Sequence, residues 1–304
     1  MLIIGSRGSQ LALAQSSWVR QEISRRFPEE TIEVKVIRTS ADRDQSASIR
    51  SGSATGVFVK EIEEALIAGT IDLAVHSMKD LPTRIPGTLR VEAIPAREDP
   101  RDALIACSPL HTLDDLPRKA VIGTGSVRRQ AQLLALRPDL IVRDIRGNVD
   151  TRIGKLQSGD YDAIVLACAG LNRLGLEDRI SLRLDISSML PAPGQGALAL
   201  EIRSANDDIA RFIAALNHRE TAISVRAERE FLRAMGGGCN SPIAVHAWFS
   251  EGTLRMEGLV AVPDGSRVVR ESVCVAPEDT EPAAAALAEV VLSKGGREIL
   301  ETCH

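Results

Sequence analysis

This sequence of 304 residues has few aromatic residues, no long apolar run and no net positive charge. Aromatics make up 3% of the chain and the net charge is −4, so neither base stacking nor a basic surface indicates nucleic-acid binding. No apolar run approaches bilayer length, and the N-terminus lacks the basic start and apolar stretch of a signal peptide. We therefore expect a cytoplasmic protein that binds neither nucleic acid nor membrane.

Cysteine and histidine patterns that signal metals or disulfides are also lacking. The five cysteines are scattered, with no C-x-x-C spacing, which argues against a disulfide framework and a structural zinc site. The five histidines are equally dispersed, and no H-E-x-x-H pattern occurs. His76 and His246 lie in strand-like runs and are interpreted as core or surface residues. We expect no metal site.

Positive charge is concentrated in one segment, residues 118–152, which holds seven arginines, one lysine, three aspartates and no glutamate. Arginine binds carboxylate and phosphate through a planar fork, so its preference over lysine has chemical meaning. A charge run is usually a solvated helix face, but several of these arginines fall at loops and helix starts. We infer an acidic small-molecule ligand.

Strand-like and helical patterns alternate over the first two thirds of the chain, which predicts doubly wound α/β layers. Two segments, 93–100 and 190–196, look like crossovers between two such units. The predicted domains are residues 1–96 with 197–216 as a discontinuous first lobe, 97–196 as an inserted second lobe, and 217–304 as a small C-terminal α+β domain. We expect a cleft between the lobes, as in two-domain binding proteins.

Ligands of open α/β sheets bind beyond the carboxyl ends of the strands. One acid, Asp80, stands among the many bases at those ends, where ion pairing and a role in proton transfer or cation stabilisation are both open. Ser126 is a plausible helix N-cap. The polar residues that follow the predicted strands include Arg7, Ser9, Lys79, Asp80, Ser126, Arg128, Arg129, Arg146 and Arg152.

Cys239 follows three glycines, Gly236 to Gly238, at a junction between a predicted helix and a strand. Glycines let a backbone approach another molecule closely, so a covalent or nucleophilic role is at least as well supported as a small buried residue in a turn. The small polar segment 46–56 is either a lid over the ligand or an idle surface loop.

Several motifs together resemble the porphobilinogen deaminase (hydroxymethylbilane synthase) family, in the right order over nearly the whole chain. They are Phe58-Val59-Lys60-Glu61, Val75-His76-Ser77-Met78-Lys79-Asp80-Leu81-Pro82, Gly123-Thr124-Gly125-Ser126-Val127-Arg128-Arg129, Arg146-Gly147-Asn148-Val149, Pro193-Gly194-Gln195-Gly196-Ala197 and Gly237-Gly238-Cys239.

The resemblance implies a transferase of porphyrin and haem biosynthesis. Cys239 would carry a dipyrromethane cofactor through a thioether, onto which four porphobilinogens are joined head to tail with loss of ammonia, before water releases hydroxymethylbilane. Asp80 would contact pyrrole N–H groups, assist ammonia loss and stabilise the cationic azafulvene. Acetate and propionate side chains would be held by Arg7, Ser9, Lys79, Ser126, Arg128, Arg129, Arg146, Arg152 and Arg173, with Gln195 lining the site. A monomer is expected from the resemblance alone.

One position departs from the family, because Thr55 stands where a lysine is usual, and Arg50 is the candidate substitute for that lysine. Two alternatives remain from other classes. One is a two-lobed, non-catalytic binding protein for an acidic metabolite, which the lack of an export signal and Cys239 disfavour. The other is a cysteine hydrolase, which would need a histidine such as His246 paired with Cys239.

Overall fold

The structure is a computed structural model that describes residues 1–37, 59–238 and 241–303. The chain divides into two compact units. The first comprises Met1–Glu98 and Ala197–Ala222, and the second comprises Asp99–Gly196 and Ile223–His304. Each unit is described by itself. Among the described residues, no helix is both long and apolar enough to cross a membrane.

The strands are short and separated by helices or turns over most of the chain. In chain order they are β1 (Leu2–Ser6), β2 (Ile32–Val36), β3 (Leu73–Ser77), β4 (Leu89–Ala93), β5 (Asp102–Ala106), β6 (Val121–Gly123), β7 (Ile141–Arg143), β8 (Ala163–Ala167), β9 (Leu182–Arg183), β10 (Leu198–Arg203), β11 (Ile243–Ser250), β12 (Thr253–Ala261) and β13 (Val268–Val275).

The helices within the described residues follow the same order. They are α1 (Gln10–Arg26), α2 (Lys60–Ile67), α3 (Val127–Leu136), α4 (Val149–Gln157), α5 (Cys168–Arg173), α6 (Asp207–Ala214), α7 (Arg219–Ala234), α8 (Thr280–Val291) and α9 (Arg297–Glu301). Single 3-10 turns occur at Met78–Asp80, Leu113–Asp115, Glu177–Arg179 and Pro277–Asp279, and a π-helical turn at Leu292–Gly296 joins α8 to α9.

Three sheets organise these elements. The first has the order β2-β1-β3-β10-β4, the second β7-β6-β8-β5-β9, and the third β11-β12-β13. In the first two sheets the neighbours β1, β2 and β3, and likewise β6, β7 and β8, pair in parallel. Strand β10 is antiparallel to β3 and β4, and β5 is antiparallel to β8 and β9. The predicted α/β layers are confirmed, and the first and second sheets are each mixed rather than wholly parallel.

Continuous apolar runs account for the central strands. Four of the five residues of β3, from Leu73 to His76, are buried, as is typical of a strand covered on both faces. Strand β8 is buried in the same way from Ala163 to Leu166. These strands contribute to the apolar cores of their own sheets, with Leu73 and Val75 in one core and Ala163 and Val165 in another.

Side-chain caps fix where three helices begin, immediately after the strands. Ser9 accepts a hydrogen bond from the amide of Ala12 (3.3 Å), and Asn148 accepts one from Thr151 (2.9 Å). Ser126 caps α3 by accepting from the amide of Arg129 (3.4 Å), as predicted. The loops that carry the predicted site residues are thereby tied to helix starts.

The C-terminal part is a three-stranded antiparallel sheet packed against helices, which confirms the predicted α+β layer. Glycines make its close approaches possible. A β-carbon on Gly258 would lie 2.4 Å from Cζ of Phe231 on α7, and one on Gly265 would lie 2.3 Å from the amide nitrogen of Ala135 on α3. The division into three domains at residues 96, 196 and 216 stays a prediction.

Candidate functional site

A small cavity in the first unit brings together three of the predicted site residues. Arg7, Ser9 and Asp80 line a space of about 70 Å³. Arg7 and Ser9 follow β1, and Asp80 ends the 3-10 turn that follows β3. Because β1 and β3 are parallel neighbours, their carboxyl ends meet at one edge of the sheet. We call this space the Asp80 cavity.

The two polar residues of the 3-10 turn differ in their surroundings. Asp80 is exposed, whereas Lys79 is half-buried and is not among the residues that line the Asp80 cavity. The turn itself is anchored by Met78, which is buried and whose carbonyl accepts from the amide of Leu81 (3.2 Å). Asp80 is therefore accessible to a ligand, and the turn that carries it is held in place.

Sequence analysis missed polar residues that complete the Asp80 cavity. Gln15 on α1 is buried and donates through Nε2 to Oγ of Ser77 (2.9 Å), and both line the cavity. His76 lines it too, and its Nε2 lies 3.0 Å from Oε2 of Glu201. Gln15 lies in the second turn of α1, after the Ser9 cap, and this position was a signal for its role.

Acidic side chains lie close to this histidine. Burial raises the pKa of Glu63, and the charge of Glu201 raises it further, while His76 partly opposes the shift. His76 is thus a satisfied core histidine, as interpreted from its strand-like surroundings.

In the second unit, three predicted site residues meet at a carboxylate that sequence analysis did not single out. Asp102 has no exposed surface. It accepts from Arg128 Nη1 (2.8 Å), Arg129 Nε (3.0 Å), Arg129 Nη2 (2.7 Å) and Gln195 Nε2 (2.9 Å). We call these four residues the Asp102 cluster.

Charge pairing controls the protonation of this cluster. Burial alone would raise the pKa of Asp102, but the guanidiniums of Arg128 and Arg129 outweigh it and hold that pKa well below its usual range. Burial lowers the pKa of Arg128, an effect that Asp102 opposes and Arg129 reinforces. The cluster therefore carries two cations on one anion.

A close approach between two loops places further arginines near the cluster. A β-carbon on Gly125, after β6, would lie 2.9 Å from Oδ1 of Asp144, after β7. Arg146 in the second loop is exposed and pairs with Asp144 (2.9 Å). Half-buried Arg152 donates through Nε to the Gly147 carbonyl (2.8 Å) and has no carboxylate within ion-pair distance among the described residues.

Arg152 experiences the positive charge of the cluster. Burial lowers its pKa first, the nearby charge of Arg129 lowers it further, and Asp144 opposes both. A half-buried guanidinium beside another cation favours an anionic ligand, because a carboxylate there would relieve both effects.

The segment 190–196 is held to its surroundings by buried polar groups. Gln132 on α3 donates to the carbonyl of Leu190 (3.0 Å) and accepts from its amide (2.8 Å). Glu228 on α7, which is fully buried, accepts from the amides of Gly194 (2.7 Å) and Ala247 (2.8 Å). Gln195 is thereby fixed at the Asp102 cluster. Sequence analysis missed Glu228, although its place on the buried face of α7 between Val225 and Phe231 was a signal.

Arg173, the last residue of α5, is half-buried and donates to the carbonyl of Gly196 (2.7 Å). It therefore lies at the end of the same segment that presents Gln195.

Cys239, Thr55 and Arg50 lie outside the described residues, so the roles predicted for them stay predictions. The residues that flank Cys239 are tied together, because Gly238 donates to Oγ of Ser241 (3.0 Å) and Ser241 donates to the Gly238 carbonyl (3.0 Å). Gly236 ends the preceding helix with a φ of +69°, a conformation that favours glycine. The other four cysteines are free, with Cys168 buried and the rest exposed.

Comparison with known proteins identifies the family. Residues 2–211 match the dipyrromethane cofactor binding domain of porphobilinogen deaminase, and residues 222–292 match the C-terminal domain of porphobilinogen deaminase. The chain belongs to the porphobilinogen deaminase family. The predicted family, its tetrapyrrole chemistry and its dipyrromethane cofactor are confirmed, and the alternative of a non-catalytic binding protein is not favoured.

Curated relatives agree over the full length. The chain is 49% identical to the porphobilinogen deaminase of Thermus thermophilus over 301 residues, covering 99% of this chain and 98% of that protein. It is 47% identical to that of Pelobacter propionicus over 303 residues, covering 100% and 97% of the two chains. A solved structure, the periplasmic aliphatic sulphonate binding protein SsuA from Escherichia coli, aligns with a TM-score of 0.42 at 17% identity, covering 77% and 70%.

Proposed function

We propose that this porphobilinogen deaminase binds the carboxylates of its cofactor and growing product through the Asp102 cluster and Arg152, and performs its chemistry at Asp80. One observation carries this proposal. Arg128 and Arg129 are buried, Arg152 is half-buried, and Asp102 is the carboxylate that pairs with this group among the described residues. These buried arginines outnumber the carboxylates that pair with them. Buried positive charge without a partner is costly, so the group favours an acidic ligand.

The residues present fit the dipyrromethane group. Each pyrrole ring bears an acetate and a propionate, and arginine forks match such carboxylates in geometry and charge. Arg128 and Ser126, at the start of α3, would hold the cofactor together with Lys79, and Arg129 would belong to the same cluster through its bonds to Asp102. Growing chain would be held by Arg146, Arg152 and Arg173, with Gln195 lining the site and Arg7 and Ser9 receiving substrate.

When bound, the cofactor would supply the pyrrole carbon that acts as nucleophile toward the first substrate. Asp80 would accept hydrogen bonds from pyrrole N–H groups, and its negative charge would stabilise the cation that forms as porphobilinogen loses ammonia. An exposed carboxylate that lines the same cavity as Arg7 suits both tasks, because the guanidinium could hold a substrate carboxylate while Asp80 faces the reacting ring.

Cys239 would anchor the cofactor by a thioether. The residues on either side of this position, Gly238 and Ser241, are joined by two hydrogen bonds. We propose in particular that the protein has hydroxymethylbilane synthase activity. We also propose that it is a cytoplasmic monomer with no nucleic-acid or membrane partner.

Intact-mass measurement of the purified protein tests the proposal. The chain is expected to weigh two pyrrole units more than its sequence, and porphobilinogen is expected to add further units, each one substrate minus ammonia. A protein with the plain sequence mass that turns over no porphobilinogen would contradict it.

A further inference from the structure

The two guanidiniums of the Asp102 cluster are used in different ways. Every side-chain nitrogen of Arg129 donates a hydrogen bond, with Nε and Nη2 bound to Asp102 Oδ1 and Nη1 bound to the Val165 carbonyl (3.0 Å). Arg128 donates through Nη1 alone, to Asp102 Oδ2 and to the Leu190 carbonyl (2.7 Å). Within the part of the chain that the structure describes, Nε and Nη2 of Arg128 have no acceptor.

This difference concerns the edge by which arginine grips a carboxylate. Nε and Nη2 lie on the same side of the guanidinium and together form a two-pronged donor. In Arg129 that edge is taken by Asp102, whereas in Arg128 it remains available to a ligand. Both side chains are nearly equally buried, so exposure does not distinguish them.

We propose that Asp102 is a positioning residue, which turns the donor edge of Arg128 toward a ligand carboxylate while it occupies that of Arg129. Within the arginine pair, Arg128 binds the ligand and Arg129 supports the cluster. This proposal rests on the proposed function, since the ligand is the carboxylate-bearing cofactor or product. Gln195 shares the same carboxylate, so Asp102 also fixes a third residue of the site.

The charge of Asp102 is required as well as its shape. Burial and the charge of Arg129 lower the pKa of Arg128, and the charge of Asp102 opposes both effects. Without that charge, the two arginines would repel each other, and the donor edge of Arg129 would be released to compete for the ligand.

Two measurements on matched variants separate binding from support. Thermal unfolding is measured on full-length proteins that also carry Cys239→Ala, so that no cofactor is attached. The loaded fraction, meaning the chains that carry two extra pyrrole units, is measured by intact mass on proteins that keep Cys239. The variants are Arg128→Lys, Arg129→Lys, Asp102→Asn and Asp102→Glu. The control is Asp99→Asn, which removes a nearby carboxylate paired with Arg101 (2.8 Å).

Arg128→Lys is expected to reduce the loaded fraction roughly tenfold or more, because lysine lacks the two-pronged edge. Arg129→Lys is expected to lower the unfolding temperature by about 5 °C while most folded chains stay loaded. If folded Arg129→Lys is unloaded and Arg128→Lys is fully loaded, the assignment within the pair is wrong.

Asp102→Asn is expected to lower loading and to raise KM for porphobilinogen by a larger factor than it lowers kcat, with Asp102→Glu restoring part of the loading. Asp99→Asn is expected to load like the parent. Loading and KM equal to the parent in Asp102→Asn would overturn the positioning role. If Asp102→Asn does not fold, the comparison of the two arginine variants decides.

The parent protein distinguishes this inference from the proposed function. A parent without the two extra pyrrole units on Cys239 would contradict the proposed function itself. A loaded parent with every variant equally loaded would overturn only the inference about the Asp102 cluster.

Discussion

Gly265 touches the helix that carries Arg128 and Arg129, because a β-carbon on it would lie 2.3 Å from the amide nitrogen of Ala135. The contact joins the turn between β12 and β13 to the last residues of α3. Ala131 of α3 also packs with Leu259 and Ala261 of β12. The C-terminal sheet therefore supports α3 from the end opposite to Ser126.

We predict that Gly265→Ala destabilises the protein more than Gly252→Ala. Both glycines have positive φ, +75° and +78°, which costs an L-residue about 1 kcal/mol, but only Gly265 faces other atoms within 4 Å. The clash should add about 1–3 kcal/mol to the loss of unfolding free energy. Denaturant unfolding of the two variants measures the difference, and equal losses would show that the turn moves away without cost.

Cys239→Ala is predicted to abolish activity and to give a protein with the plain sequence mass, because the thioether has no other anchor. Single replacement of Cys107, Cys274 or Cys303, which are exposed, should leave the adduct in place. Intact mass and turnover of porphobilinogen are measured for each variant. Covalent pyrrole retained by Cys239→Ala would rule out this anchor.

Asp80→Asn is predicted to slow the chemical step by a factor on the order of 10² to 10⁴, because the amide lacks the charge that stabilises the developing cation. The fold should change little, since Asp80 is exposed. Asp72→Asn is the control, because Asp72 accepts from the amide of Ile3 (3.0 Å) and pairs with Arg203 (3.2 Å). Single-turnover rates should fall only for Asp80→Asn. Near-normal turnover by Asp80→Asn would show that Asp80 has a structural role rather than a catalytic one.

Arg152→Gln is predicted to stall the enzyme part-way through chain growth. Losing one partner would leave a ligand carboxylate poorly paired, at a cost of about 2–5 kcal/mol. After incubation with porphobilinogen, intact mass should show accumulated covalent intermediates. The same stall is expected for replacement of Arg146 or Arg173, whereas replacement of Arg128 should impair cofactor assembly.

Arg118→Gln is the matched control for Arg152→Gln. Arg118 belongs to the same arginine-rich segment but is exposed and has no ion pair among the described residues. Its intermediates should follow the parent distribution. An Arg152→Gln distribution identical to that of the parent would mean that arginines do not sort the stages of elongation.

We predict that the free energy of unfolding falls above pH 9 because the Cys168 thiol ionises more readily in the unfolded chain. Burial raises the pKa of its thiol to about 12 from a usual value of 9.0, and the charges of Asp99 and Asp102 add to the shift. Below pH 9 the thiol is neutral in both states, so this contribution is fully present. Above pH 9 the unfolded thiol ionises first, and stability falls by up to about 1.4 kcal/mol per pH unit until the folded pKa is reached.

Unfolding free energies at pH 8 and pH 10 measure this effect in the parent and in Cys168→Ala. The parent should lose more stability than the variant over that interval. An equal loss in the two proteins would show that the Cys168 thiol does not cause the loss of stability between pH 8 and pH 10.

Sequence predicted the parts of the site that depend on local order. Ser126 was recognisable as a cap from its place before an apolar helix, and Asp80 from its place after a buried strand. Asp102 was not recognisable, because its partners Arg128 and Arg129 lie 26 and 27 residues further along the chain. Only the pairing of β5 with β8 and the placement of α3 bring them together.

Strand direction was likewise beyond the sequence pattern. The run Leu198 to Ile202, apolar except for Glu201, is buried like any central strand, so nothing in it distinguishes parallel from antiparallel pairing. The direction of β10 depends on the path by which the chain returns to the first sheet, which is a property of the whole topology.

The placement of β10 in the first sheet has a consequence for the nascent chain on the ribosome. Strand β10 lies between β3 and β4, so neither strand gains its shared neighbour until residues 198–203 have been synthesised. The second sheet is built entirely from residues 102–183 and is complete earlier in translation. The first sheet to begin synthesis is therefore the later of the two to close, and a truncated chain ending before Leu198 would expose the edges of β3 and β4 to aggregation.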